Sequence, residues 1–165
     1  MSKVRPFFQE RLQVGGIDAD VPDTILGDSG VITITSAQVL ALNATPQTIV
    51  PAPGAGKILV PEYLLIHKPA GTAYAGIAAG EDLALRYTDA SGTILLEAEP
   101  TGFLDQATAQ ERHATAYRQV SLISSVTPTP NAALVLHMIV GEIITGTSPL
   151  YVRVLYRVFP SLFLS

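Results

Sequence analysis

The segment most suggestive of chemistry in this 165-residue chain is Pro51-Ala52-Pro53-Gly54-Ala55-Gly56-Lys57-Ile58. Its Gly-Ala-Gly-Lys core has the residue types of a phosphate loop, in which glycine amides close on phosphate oxygens and a lysine neutralises them. Such a loop also needs Gly five residues before its second Gly, and Ser or Thr after the lysine to hold magnesium. Those positions hold Pro51 and Ile58. The two prolines remove backbone donors, and no helical pattern follows, so the segment reads as a tight turn between strands. The histidines, His67, His113 and His137, have the chemistry of a zinc or iron site on a β-barrel. Barrel sites of that kind bring two ligands close in sequence, and no His-x-His or His-x-x-x-His spacing occurs here. His67 and His137 fall in predicted strands, where their neighbours suggest a sheet face or a subunit interface.

The carboxylates give no better constellation. Asp18, Asp20, Asp23 and Asp28 could line a calcium loop, but counting from Asp18 the sixth position holds Asp23 instead of Gly, and the twelfth Ser29 instead of Glu. A solvated acidic segment fits better. Asp105, Gln106, Glu111, Arg112 and His113 offer acid and base types, yet their spacing does not direct them to one cleft. There is no Gly-x-Ser-x-Gly elbow and no cysteine. The expectation is a protein without catalytic residues, metal ligands or cofactor.

The elements that would position these residues are strands. Val31 to Thr35 is β-branched throughout and reads as a strand, and Ser36 could cap a short helical turn over Ala37 to Leu42. Thr48 to Val50 is a short strand closed by Pro51 and Pro53. Lys57 to Lys68 is a long apolar run with Ile58, Val60, Leu64 and Ile66 on one face and Leu59, Tyr63 and Leu65 on the other. Both faces should therefore be covered, and Pro61 implies an edge position or a bulge. Leu83, Leu85 and Tyr87, the turn Asp89-Ala90-Ser91-Gly92, and Ile94, Leu96 and Ala98 read as a hairpin. Residues 101 to 112 carry the one helix-like pattern of any length, with Thr101 as cap and Phe103, Leu104 and Ala107 at helical spacing. Further strands are expected around Val120, Leu122 and Ser124, from Leu134 to Val140, and from Tyr151 to Val158. About eight antiparallel strands with one short helix predict an all-β sandwich or jelly roll over residues 31–165. Residues 1–30, with Gly15-Gly16 and the acidic stretch, read as an extended arm whose apolar anchors are Phe7, Phe8, Leu12, Val14, Ile25 and Leu26.

Composition narrows the function classes. Only 15% of residues are charged while 48% are hydrophobic, against about 25% charged in an average soluble domain. Self-association is the simplest cover for such a surface. The expected seam is Leu59, Tyr63 and Leu65 with Leu155, and the apolar end Phe159 to Leu164 is expected to dock on a neighbour. Pro, Gly or a charge interrupts every apolar stretch before 18 residues, so no membrane span is expected. A net charge of -4 with dispersed Lys and Arg gives no track for nucleic acid. Nothing after Met1 resembles a signal core, and synthesis in a cytoplasm is expected.

Three stretches carry a resemblance. Ile34 to Lys57, Asp82 to Asp89, and Leu150 to Val158 resemble segments recurrent in structural proteins of tailed bacteriophages, over about residues 31 to 158. The resemblance implies a β-sandwich virion component, often trimeric, such as a capsid decoration (cement) protein bound to the major capsid protein on the capsid surface. A neck, tail or fibre-associated protein is the neighbouring expectation, and a carbohydrate-binding or cupin-like module the distant one.

Overall fold

The computed structural model describes residues 26–78, 80–115, 127–141 and 143–161. Among these described residues, nine strands and one helix follow in chain order: β1 (Gly27–Asp28), β2 (Ile32–Ile34), α1 (Ser36–Leu40), β3 (Gln47–Val50), β4 (Lys57–Lys68), β5 (Leu83–Tyr87), β6 (Ile94–Ala98), β7 (Gln110–Thr115), β8 (Leu134–Met138) and β9 (Leu150–Pro160). One sheet runs β1-β9-β4-β7, with β2 also on β9; the other runs β3-β8-β5-β6. The antiparallel pairs β2–β9, β3–β8, β4–β7 and β5–β6 nest inside one another. That nesting is the pattern of a long hairpin ribbon rolled into two facing sheets, the jelly roll. The expected fold class therefore holds; seven of the expected strands are among the nine described, and β1 and β7 were not expected.

The core lies between the sheets. Leu59, Leu64, Ile66, Val152 and Val154 from the first sheet meet Leu83, Leu85, Leu96, Leu134, Leu136 and Met138 from the second. Burying each of these aliphatic side chains stabilises the fold by about 1.5–3 kcal/mol. Tyr87 and Tyr74 are buried with them, donating hydroxyl hydrogen bonds to the Leu59 and Ser148 carbonyls.

The hairpin β5–β6 forms where its alternation placed it. At the first helix the cap is Thr35, one residue before Ser36. Thr35 Oγ1 accepts from the Gln38 amide at 3.3 Å while Gln38 Oε1 accepts from the Thr35 amide at 2.9 Å, a reciprocal capping box. Gly27 and Asp28, expected within the arm of residues 1–30, are a strand on β9.

The helix expected over 101–112 does not exist. Residues 101–105 form a turn, in which the Phe103 and Leu104 amides both reach the Pro100 carbonyl, and residues 110–115 form β7. Phe103 and Leu104 are buried, so their spacing reported burial correctly but not helix. The carbonyls that a helix would have consumed are used by two cations. Lys68 Nζ, wholly buried at the end of β4, donates to Gln106 O at 2.6 Å and Thr108 O at 3.3 Å. Arg112 lies over the Phe103 ring at 5.4 Å and donates to Gly102 O at 2.8 Å.

Within β4 the faces also differ from expectation. Pairing with β9 shifts register between Pro61 and Tyr63, so Glu62 is the extra residue of a bulge. β4 is a central strand, not an edge. The extra residue inverts the alternation, and Leu59 and Pro61 join Leu64 and Ile66 on the buried side. Val60 takes the same side as Tyr63, Leu65 and His67.

Candidate functional site

The outer face of the five-stranded sheet gathers the polar and aromatic side chains that the core excludes. β4 supplies Tyr63, Leu65 and His67, β7 supplies Glu111 and His113, and β9 supplies Tyr151, Arg153, Leu155 and Arg157. Cross-strand register fixes their neighbours. Tyr63 stands opposite Leu155, Leu65 opposite both Arg153 and His113, and His67 opposite both Tyr151 and Glu111.

Specific contacts order this face. Tyr63 Oη and His113 Nδ1 lie 2.6 Å apart, and their rings tilt at 42°. His67 Nδ1 lies 3.2 Å from Glu111 Oε1, and the His67 ring stacks on Tyr151 with centroids 6.0 Å apart. Asp28, brought in by β1, takes the Arg153 guanidinium in a two-pronged ion pair. The hydrogen bond from Arg153 and that from the Gly30 amide hold the Asp28 carboxyl below its ordinary value. Glu62, the bulge residue, pairs with Arg157. The bulge therefore both turns Leu59 inward and presents a carboxylate to β9.

Of the expected seam, the structure brings Tyr63, Leu65 and Leu155 together, each half-buried on this face. Leu59 is 1% exposed in the core and does not share it. Its assignment to the seam is corrected by the Glu62 bulge, which period-two counting along β4 could not include. Among the arm anchors, Leu26 lies just before β1 and is 45% exposed. Phe7, Phe8, Leu12, Val14 and Ile25 lie outside the described residues, as do the strand expected around Val120, Leu122 and Ser124 and the end of the chain from Leu162.

The opposite sheet presents a different outer face. Ala84, Arg86, Val135 and His137 are all buried there. His137 Nε2 donates to the Asn43 carbonyl at 3.0 Å, and burial holds its imidazole below the ordinary value, with Arg86 acting in the same direction. At the β6 side, burial and the neighbouring Glu99 raise the Asp82 carboxyl, and burial and Asp82 raise that of Glu97. Sequence reading missed this acidic group because Asp82, just before β5, meets Glu97 in β6 and Glu99 just after it only when the two strands pair.

The Gly-Ala-Gly-Lys segment is a turn between β3 and β4. Gly54 and Gly56 have φ of 100° and 73°, the left-handed region that favours glycine. The Gly54 amide is already bonded to Asn131 Oδ1 at 3.0 Å. Among the described residues, no three His, Asp or Glu side chains converge as a metal site, and no helix is long and apolar enough to cross a membrane. Comparison with protein-family models, with curated proteins and with solved structures returns no match for this chain.

Proposed function

We propose that this protein is a non-catalytic assembly module that self-associates through the outer face of its five-stranded sheet. We further propose that the assembly it serves is the virion of a tailed bacteriophage, where it acts as a trimeric capsid decoration protein on the head. The observation that carries the first part is the composition of that face. Leu65, Leu155 and Tyr63 form a half-buried apolar centre, and the flanking cations Arg153 and Arg157 are ion-paired with Asp28 and Glu62. Charges paired in this way can be covered by another copy without leaving an unpartnered ion, which is the costly outcome at an interface. The second part is supported by the sequence resemblance alone. A shell protein needs repeated attachment, not chemistry, and a trimer matches local three-fold positions on an icosahedral shell.

Analytical ultracentrifugation tests the assembly reading. The chain is expected to sediment as a trimer, and Leu65→Asp as a folded monomer; an unchanged trimer in that variant refutes the placement of the seam. Electron microscopy of a phage particle carrying the protein tests the setting. Hundreds of copies on the head support decoration, and a dozen or fewer at the neck or tail move the protein there.

The stacked Tyr151–His67 pair favours a second reading, sugar binding on the same face, since exposed rings stack on pyranose faces. A glycan array that returns a saturable ligand competing with self-association would favour it.

A further inference from the structure

The geometry points to a docking site for the chain's own amino-terminal segment: residues 23–26 extend β1 along the free end of β9 and seat Ile25 in an apolar groove between the two sheets. The inference does not depend on self-association. It fixes where the arm is rooted and from which end of the molecule it reaches a partner.

The groove lies at the end of the sandwich where β4 begins and β9 finishes. Val50 and Pro51 at the end of β3, Leu59 from β4, and Tyr156 and Val158 from β9 line an open space of about 330 Å³, with the exposed Lys57 beside them. β9 has an open edge at the same place. Its side away from β4 is taken by β2 at residues 150–152 and by β1 at residues 155–156, and no described strand takes it at residues 157–160. Across this side the Ser29 amide donates to the Val154 carbonyl, and the Val154 amide donates to Ser29 Oγ. Alternate residues of an antiparallel strand turn their backbone groups to the same side, so Val158 also directs its amide and carbonyl to the open edge. Backbone groups presented in this way are a template for one more strand.

Register identifies the occupant. Gly27 pairs with Tyr156 and Asp28 with Leu155. Carried back along the chain, that register sets Ile25 opposite Val158 and Asp23 opposite Pro160. Directly opposed residues share a face of the sheet. Ile25 therefore takes the side of Tyr156 and Val158, which pack against the core, and enters the groove. Asp23 joins the row of Pro160 and Lys57, which pair with each other, and its carboxylate complements the lysine ammonium. Gly27 shows how closely the segment already follows this wall, since a Cβ on it would lie 2.5 Å from the Tyr156 ring. The chain's own segment arrives with no loop to close, an advantage that a second copy's arm lacks. Because the groove is open, the contact is peripheral to the core. Residues before Asp23 then leave the body beside the turn at Gly54 and Gly56, so a partner of the arm is met at that end of the sandwich.

Hydrogen exchange of the full chain, read residue by residue by NMR, tests the pairing. The Val158 amide is expected to be protected, and Ile25→Asp to speed its exchange at least about tenfold while leaving the Phe159 amide, which faces β4, unchanged. A Val158 amide that exchanges freely in the wild type overturns the inference. So does protection that survives Ile25→Asp, which would mean that another segment, such as the apolar residues 162–164, fills the groove. Disulfide trapping tests the register, because the chain has no cysteine of its own. Thr24 and Phe159 fall at a non-hydrogen-bonded pair, where Cα atoms lie about 4.5 Å apart, within the span of a disulfide. Thr24→Cys/Phe159→Cys is expected to oxidise within one chain. Asp23→Cys/Phe159→Cys, whose side chains point to opposite faces, is expected to oxidise at least about tenfold more slowly. Equal rates in the two variants overturn the register, and a disulfide-linked dimer assigns the groove to a second copy's arm and overturns docking within the chain.

Discussion

Tyr87 and Tyr74 show how single buried groups set the response of the fold to alkali. Each hydroxyl donates to a backbone carbonyl in the core, and burial pushes both phenols up to about 12 from a usual 10.0. Between those values the unfolded chain releases phenol protons that the native chain retains. Stability is therefore fully present below pH 10 and falls as pH rises towards 12. Tyr87→Phe is expected to cost about 1–3 kcal/mol at pH 7, because the Leu59 carbonyl loses its partner, and to flatten the alkaline limb. Urea unfolding at pH 7 and at pH 10.5 checks both effects. At the acid end the sign reverses for Asp28. Its carboxyl is held below the usual 3.8 mainly by the hydrogen bond from Arg153, so what it contributes is complete above that value and disappears as pH falls through the lowered one. An Asp28→Asn variant should differ from the wild type in stability at pH 7 and match it at pH 2.

Strand and turn geometry explains which local patterns could be trusted. The β5–β6 hairpin was legible because alternation, turn residues and glycine agreed. Its Gly92 is required sterically, since a Cβ there would overlap the Tyr87 carbonyl oxygen. Gly92→Ala should destabilise by about 3 kcal/mol, read as a lowered midpoint in thermal unfolding. The capping box of α1 predicts a smaller loss, about 1 kcal/mol for Thr35→Ala. By contrast, the 101–112 pattern misled because apolar side chains three or four residues apart bury equally well from a turn. The carbonyls of that segment were committed to Lys68 at the end of β4 and Arg112 within β7.

For the molecule as a whole, the nested strand pairs place the first and last strands on one sheet: β1 and β2 both add to β9. Among the described residues the fully buried core begins at Ile34, and on the proposed shell role residues 1–25 would attach without contributing to that core. Removing residues 1–25 is expected to leave the melting temperature within a few degrees of the full chain, by calorimetry, while weakening attachment to assembled phage heads in a co-sedimentation assay. Full-strength attachment of the truncated chain would refute an anchoring role for the arm.

The positions of β2 to β6, β8 and β9, the hairpin, the apolar run of β4 and the all-β class were determined by the sequence itself, because alternation and turn chemistry act over a few residues. That Tyr63 and Leu65 lie on the face opposite Leu64 and Ile66 was also legible, being apolar positions beyond what one core face needs. Tertiary structure alone decided that Leu59 belongs to the core, that residues 110–115 are a strand, and that His67 and His113 share one face. A bulge at Glu62 and the pairing of β7 with β4 settle these points. Both depend on partners distant in the chain, whose register no local period contains.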